Sequence, residues 1–299
     1  MRKSAFPSKE HWYKGNIHSH TTLSDGAIAP MDQIRLYKDA GYDFLAFTDH
    51  NVMNDDPSWS KEGPLMLKAW ERDILYSYKV KCTHIVGLFS PDCQLSTFRR
   101  EPGDKRTMTD QDLVDQMKKE NVFLSLAHPT WSRMEPEEIL NLNGFDAVEV
   151  FNTGTERLCH EGHAEWVWDM LLRHGRHVLG IACDDTHSHT EKDDHFGGWT
   201  YVNCNDLSWA SIIDALKKGD YYSTMGPIIK DWGLDDGKVY IECSPCSEIH
   251  FITYPARGKA CYGENLTSME YALKGGEAYV RVEVIDSSGK KAWTNPIYF

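Results

Sequence analysis

"NIHSHTTLSDGAIAPMDQIRLYKDAGYDFLAFTDH", residues 16–50, decides the fold class because its periodicity changes twice. "NIHSH" (16–20) reads as the end of a strand, "MDQIRLYKDAG" (31–41) as a helix closed by Gly41, and "YDFLAFTDH" (42–50) as a second strand. The alternation continues downstream. "TDQDLVDQMKKEN" (109–121) is a helix opened by a threonine cap, and "VFLSLAHP" (122–129), "AVEVFN" (147–152) and "HVLGIACDD" (177–185) are strands. The helical "HAEWVWDMLLRHG" (163–175) separates the last two. Strands alternating with helices of this length imply βαβ units and a parallel sheet, hence an α/β fold.

The pattern changes after "SIIDALKKGDYYSTMGP" (211–227). Residues 229–299 hold short β-type segments, "KVYIEC", "EIHFITY", "AYVRVEVID" and "NPIYF", punctuated by Gly, Ser and Asp. They read as a small antiparallel, Ig-like β-sandwich, with the boundary near Gly226-Pro227, so that residues 1–228 form the first domain. There is no internal repeat.

A chain of 299 residues can hold one large domain, or a large and a small one. Its 41% apolar and 26% charged residues are those of a soluble globular protein. Runs such as "FLAF" and "VFLSLA" fall far short of the roughly 20 apolar residues that cross a bilayer, so no membrane partner is expected. The N-terminal "MRKSAFPSKEHWYKG" begins basic but lacks the apolar segment of a signal peptide, which makes the cytoplasm the expected location. The eight cysteines are scattered, and the close pair in "CSPC", Cys243 and Cys246, lacks the second pair of a zinc ribbon. Reduced, mostly buried thiols are expected. A net charge of −13 disfavours a nucleic-acid polymer. It leaves room for a small anionic substrate, because bound divalent cations reverse the field locally.

In α/β folds, functional groups collect where strands end. Here those positions carry His18 and His20, His50, Glu71 or a neighbour, His84 in "CTHIVGLF" and His128 in "SLAHP". They also carry Glu149 and Asn152 in "VEVFN", and Asp184, Asp185 and His187 in "IACDDTHSH". One histidine after a strand is ordinarily a surface or hydrogen-bonded core residue; its recurrence at the end of run after run is not explained that way. Glu149 by itself reads as a partner for a backbone group or an arginine, and Asp184-Asp185 as a helix N-cap pair. His160, His163, His174 and His177 read as ordinary residues of a helical segment. His-x-His suits chelation because alternate strand residues point the same way, and Asp185-x-His187 repeats that geometry. Mixed imidazole and carboxylate ligands fit Zn²⁺, Mn²⁺ or Fe²⁺, and their number implies roughly two or three divalent ions, a carboxylate bridging at least one pair.

The succession H-x-H-x4-D, T-D-H-N, an isolated Glu, H-I-x-G-L, A-H-P and D-x-H resembles the PHP (polymerase and histidinol phosphatase) family of metal-dependent hydrolases. It is most similar to the stand-alone phosphoesterases, in the branch with carbaryl-hydrolase-like members. The words "YKGNIHSHTTLSDG", "GGWTYV", "ALKKGDYYSTMGP" and "AWTNPIYF" extend the resemblance over nearly the whole chain. It implies a distorted, TIM-like (β/α)7 barrel with the metal cluster at its C-terminal face. His18 and His20 would bind a first ion together with Asp185. Glu71 would bridge it to a second ion held by His84 and His128, and Asp25, His50 and His187 would hold a third. Glu71 lies in "LMLKAWERDIL" (65–75), which reads equally well as helix, so Asp73 and Glu62 stay open as alternatives. Some relatives carry His where this chain has Asp25.

The resemblance implies cleavage of a phosphate ester of a small metabolite or nucleotide by a metal-activated hydroxide. Asp185 belongs to the catalytic group, and His187 or His20 is the expected proton donor to the leaving group. Arg133, in "HPTWSRM", is the best-placed phosphate-binding cation, with Arg99 and Arg100 on a polar loop, "STFRREPGDKRT", able to cover the site. Asn51 and Asn152 would orient water or substrate. Two other readings stand beside this one. The same centre could hydrolyse a carboxylic or carbamic ester or amide, or the chain could be a metal-binding ligand-recognition protein without turnover.

Overall fold

The computed structural model describes residues 2–7, 11–53, 56, 58–61, 63–75, 82–93, 109–188 and 193–299. In chain order the first part contains β1 (Lys3–Ser4), β2 (Trp12–Asn16), α1 (Pro30–Asp39), β3 (Phe44–Ala46), β4 (Leu65–Leu67), β5 (Ala69–Leu75) and β6 (Cys82–Leu88). It continues with α2 (Asp110–Lys119), β7 (Phe123–Leu126), α3 (Pro136–Asn141), β8 (Ala147–Asn152), α4 (Thr153–Cys159), α5 (Glu165–Arg173) and β9 (Leu179–Cys183). Then come β10 (Trp199–Asn203), α6 (Trp209–Lys218) and β11 (Tyr221–Thr224). The remaining strands are β12 (Ile229–Asp235), β13 (Lys238–Tyr254), β14 (Lys259–Ala272), β15 (Tyr279–Ile285), β16 (Lys291–Thr294) and β17 (Ile297–Tyr298).

Local chemistry sets the helix ends. Pro30 opens α1, and Gly41, at φ +73°, turns the chain just past its end. Thr109 caps α2 through a reciprocal capping box with Asp112. The "LMLKAWERDIL" segment is strand, not helix: β4 pairs parallel with β3, and β5 pairs antiparallel with β6. Of the four histidines expected within one helical segment, His160 and His174 cap helix ends, and His163 and His177 lie in the connections that follow α4 and α5.

The strands form a mixed α/β arrangement of two sheets. The larger runs β1-β12-β13-β15-β16-β11-β10-β2-β3-β4, with β14 on β13 and β17 on β15; the smaller runs β5-β6-β7-β8-β9. The sheet expected to be parallel is mixed. The β2-β3-β4 and β7-β8-β9 ladders are parallel, whereas β5, β6 and β7 alternate in direction and β10 is antiparallel to both β2 and β11. Residues 76–81 are too few for a crossover of roughly a dozen residues, so β6 must return antiparallel. Nor do the strands close into one hydrogen-bonded barrel. The two sheets touch through isolated parallel bridges at Ser19–Thr186 and His50–Glu71, and six α-helices lie among the described residues.

Both faces of the central strands are buried, and alternation divides their side chains between cores. Phe44 and Ala46 join Ala69, Val86, Leu88, Phe123, Ala147 and Ile181 in an inner core, while Leu45 and Phe47 pack with Ile34 and Tyr37 of α1. Trp70, Ile85, Leu124, Leu126, Val148 and Val150 face α2, α3 and α5. The inner face carries the site. Two residues on from Ala69 comes Glu71, two before Val86 comes His84, two after Ala147 comes Glu149, and Asp185 continues the Ile181–Cys183 row. His84 therefore stands near the start of its strand, because β6 runs opposite to its neighbours.

The C-terminal strands are continuous with the larger sheet. β16 pairs with β11, and β1 crosses from the N-terminus to pair with β12. Asn295 accepts a hydrogen bond from Gly180 N at 3.0 Å and donates to the carbonyls of Gly219 and Tyr221 at 3.2 Å. Arg281, wholly buried, bonds Asp169 of α5 and Glu283 at 2.7 Å and stacks on Trp168 at 4.5 Å. Lys291 donates to Glu165 at 2.7 Å. All eight cysteines are free, with the Cys243 and Cys246 sulfurs 3.8 Å apart in the C-terminal core. No described helix is long and apolar enough to cross a membrane.

Removing Arg281 strands two acidic groups in a closed interface, so Arg281→Ala should cost about 3–5 kcal/mol in denaturant unfolding. The Glu165 carboxyl is pulled down to about 2: burial opposes its charge, but His163 and Lys291 outweigh that. A depressed carboxyl stabilises the fold above its unfolded value of 4.5 and loses that contribution as pH falls towards 2. Glu165→Gln should lower stability by a constant amount above pH 4.5 and flatten the acid limb between 4.5 and 2, where the wild type loses that contribution.

Candidate metal centre

Where β2 runs out, the chain continues through His18 and His20 alongside Asp185, held by hydrogen bonds from Asp185 N to His18 O and from His20 N to Thr186 O. His18 Nε2 lies 3.2 Å from Glu71 Oε2 and 3.1 Å from Asp185 Oδ1. His20 Nε2 lies 3.1 Å from each of the same two oxygens, and 3.2 Å from His18 Nε2. Four ligand atoms about 2 Å from a tetrahedral ion stand about 3.3 Å apart, so these separations match such a cage.

The polar bookkeeping agrees. Both Glu71 oxygens, Asp185 Oδ1, His50 Nδ1 and His84 Nδ1 are buried without a hydrogen bond, although nitrogens and oxygens stand close together. Lone pairs that converge on a common point instead of on each other's protons are what a cation needs. The donor set, imidazole and carboxylate, fits Zn²⁺, Mn²⁺ or Fe²⁺.

Glu71 is shared. Its Oε1 lies 2.8 Å from His84 Nδ1 and 3.3 Å from His128 Nε2, and His50 Nδ1 lies 3.2 Å from Oε2. His50, Glu71 and His84 can hold an ion of their own. A third group joins His20, Asp25, His50 and His187: Asp25 Oδ2 is 3.4 Å from His187 Nε2 and 3.6 Å from His50 Nε2. His50 thus stands between the second and third groups, one ring nitrogen toward each.

Charge is balanced locally. Burial opposes protonation of His18, but Asp185, Glu149 and Glu71 hold its pKa well above the ordinary value. His20 rises to about 9, burial again opposing and the adjacent carboxylates of Asp185 and Glu71 prevailing. The carboxyls of Glu71 and Asp185 sit well below the usual range despite burial, chiefly because of His18. Burial instead lowers His50, aided by the like charges of His20 and His84.

Outer partners fix these groups. His18 Nδ1 is 2.7 Å from Glu149 Oε1, which leaves Nε2 to face the cage. Glu149 Oε2 accepts from His128 N and from Asn152 Nδ2, both at 2.9 Å, and Asn152 also reaches Asp185 Oδ2 at 3.0 Å. Asp49 accepts from Thr21 N and Ser24 N, pinning the turn that presents Asp25. Asp184 is no helix cap. It accepts from Asn16, Tyr37 and Thr153 side chains and from the backbone of Phe196, Gly197 and Gly198. His128 and Asp185 adopt left-handed backbone, φ 25° and 55°, a strain of about 1–3 kcal/mol each that redirects their side chains. A Cβ on Gly154 would come within 2.5 Å of Asp185 O, so only glycine lets α4 approach the site this closely.

A cavity of about 260 Å³ opens onto Asp25, His50, Glu71, His84, His128, Asp185 and His187. Its other walls are Trp131, Gly154, Thr155, Arg157, Leu158 and Asp194. Arg133 does not line it; the side chain is exposed and paired with Glu161. Asn51 donates to Asp73, and Asn152 is spent on Glu149 and Asp185, so neither faces the cavity. Arg99, Arg100 and Glu62 lie outside the described residues. Sequence reasoning undervalued Glu149, whose place on the inner face follows from the alternation of "AVEVFN". Arg157 and Trp131 carried no comparable signal.

Metal content separates the groups. Asp185→Ala should empty the buried cage, while Asp25→Ala should lower bound metal without emptying it, measured by elemental analysis after identical reconstitution. Equal loss in both variants would contradict the division. Glu149→Gln should weaken metal binding about 10–100-fold by releasing His18.

No family model matches the chain, and no curated protein does. Among solved structures it is similar to a two-domain protein from Bacteroides vulgatus containing a predicted PHP-like metal-dependent phosphoesterase. The TM-score is 0.51 at 16% identity, covering 99% of this chain and 98% of that one. A proposed metal-dependent phosphoesterase from Bifidobacterium adolescentis matches 58% of this chain and 87% of its own at 14% identity and TM-score 0.43. An amidohydrolase from Chromobacterium violaceum, with bound sulfate and no metal, matches 69% and 96% at 16% identity and TM-score 0.47. None of the three bears on the carbaryl-hydrolase-like branch. What is shared at 16% identity is the fold: over nearly its whole length this chain folds as the PHP-like two-domain protein does.

Proposed function

We propose that the chain is a PHP-family, metal-dependent phosphoesterase that acts on a small phosphorylated metabolite or nucleotide. The observation that carries this reading is Glu71, whose two oxygens serve adjacent ligand groups, as a carboxylate between two ions would. His18, His20 and Asp185 would hold the first ion, and His84 and His128 the second, with His50 beside them. Asp25, His50 and His187 would hold a third. Bound Zn²⁺, Mn²⁺ or Fe²⁺ would supply an activated water and neutralise charge on the phosphoryl oxygens. In this reading β2, β3, β4–β5, β6, β7, β8 and β9 make a distorted (β/α)7 barrel, supported by the bridges that join their site ends. Residues 229–299 would be an Ig-like unit, and the free cysteines suit a cytoplasmic enzyme.

The chain's own groups divide the remaining work. Glu149 and Asn152 orient His18 and Asp185. Arg157, on the cavity wall, takes the place expected of Arg133 and engages non-reacting phosphoryl oxygens. His187 lines the cavity whereas His20 does not, so with the third position free of an ion His187 is the better placed to protonate the leaving oxygen.

With metal restored, the protein should hydrolyse nitrophenyl phosphate and leave nitrophenyl acetate nearly untouched, and a chelator should abolish turnover. The opposite ranking would favour the carbonyl-ester reading, and metal binding with neither activity would favour a recognition protein. Arg157→Ala should raise KM for the phosphate roughly tenfold, while Arg133→Ala leaves it unchanged.

A further inference from the structure

The cavity wall away from the ligands is chemically lopsided. Trp131 stands edge-on to the His128 ring at 5.0 Å and 6.0 Å from His84, is only partly buried, and lines the cavity. It is presented by the tight turn after His128, where Ser132 N bonds His128 O at 3.0 Å and Met134 N bonds Pro129 O at 3.3 Å. Trp166 Nε1 donates to Thr130 Oγ1 at 3.3 Å, tying that turn to α5. One short loop thus delivers a ligand imidazole and an indole to the same space.

Opposing polar groups are few there: Arg157 is assigned to the phosphoryl oxygens, and Asp194 accepts from the backbone N–H groups of His187 and Ser188. Thr155 lines the cavity, but its hydroxyl is bonded to Asn152. Gly154 offers no side chain, and Leu158 is a cavity residue left 61% exposed. Among the described residues, the Trp131 and Leu158 side of this wall repays an apolar group for lost water better than it repays a row of hydroxyls.

Resting on the phosphoesterase reading, we infer that the leaving group of the natural substrate is an aromatic or otherwise apolar alcohol, seated on Trp131 and Leu158. Polyol phosphates enter the same cavity at a disadvantage, because their hydroxyls lose water and find few partners. At about 260 Å³ the cavity is slightly smaller than the ~300–1,000 Å³ usual for ligand sites, which suits a small monoester. Trp131 is then a specificity-determining residue that touches the part of the substrate that departs.

The test compares 2-phenylethyl phosphate with glycerol phosphate, both alkyl esters, on the full-length metal-loaded protein. KM for the phenylethyl ester should be roughly tenfold lower. Trp131→Ala should raise that KM roughly tenfold, with kcat little changed and glycerol phosphate unaffected, and Trp131→Phe should recover most of the loss. Calorimetric binding of 2-phenylethylphosphonate and 2-hydroxyethylphosphonate gives a second readout that needs no turnover. There too the phenyl compound should bind roughly tenfold tighter, and Trp131→Ala should erase the difference. Hydrolysis of both esters without discrimination, or equal loss for both in Trp131→Ala, overturns the inference and leaves the phosphoesterase reading standing. Trp131-dependent phosphonate binding without hydrolysis of either ester overturns the phosphoesterase reading, and with it the leaving-group assignment, and leaves Trp131 as the seat of an apolar ligand.

Discussion

Two carboxylates, Glu71 and Asp185, are buried together, 0% and 4% exposed, and the rest of the site answers to that fact. Each ion taken out of water costs several kcal/mol unless opposite charge and hydrogen-bonding groups replace the solvent. Imidazoles from separate segments supply the replacement: His18 and His20 after β2, His50 after β3, His84 on β6 and His128 after β7. Protons and divalent cations compete for the same nitrogens, so one arrangement serves both charge neutrality and metal capture. The geometry favours capture, since the short separations around Glu71 and Asp185 include atoms that make no hydrogen bond.

Much of this was legible in the chain because it rests on local periodicity. Strand alternation, the cap at Thr109, the turn at Gly41 and the histidines at strand ends are written in short words of sequence. What depended on non-local packing was not. The segment holding Glu71 carries both helical and extended signals, and pairing with β3 and β6 decides between them. Arg133 follows His128 closely in sequence, but the left-handed turn there, with φ 58° at Arg133 itself, aims it outward to Glu161. Arg157 comes from a helix placed against the site by Gly154, a contact no spacing rule shows. The strands after Pro227, expected as an appended sandwich, pair into the sheet that also holds β2 and β3, a non-local pairing that their short sequence words do not carry.

A second tier of acids keeps the first in place. Glu149 orients His18, Asp49 gathers the turn before Asp25, and Asp184 draws α1, β2 and the 196–198 segment to one point. Asp184 is adjacent in sequence to Asp185, so neighbouring carboxylates have opposite duties. Asp184 faces donors supplied by the fold, while Asp185 turns, through its left-handed backbone, toward the imidazoles. The strain of that turn is sustained by the donors that hold Asp184.

The pairing of β16 with β11, and of β1 with β12, bears on how the chain is made. During synthesis the metal-binding segments emerge before β16, so the free edge of β11 has no partner until residues 291–294 leave the ribosome. β1 leaves first and waits for residues 233–234 before its own ladder can form. An open edge next to incompletely packed strands is a template for pairing with other nascent chains. The C-terminal strands therefore act as a clasp fitted last, and a chain stalled before residue 291 would present the sticky edge that the finished protein conceals.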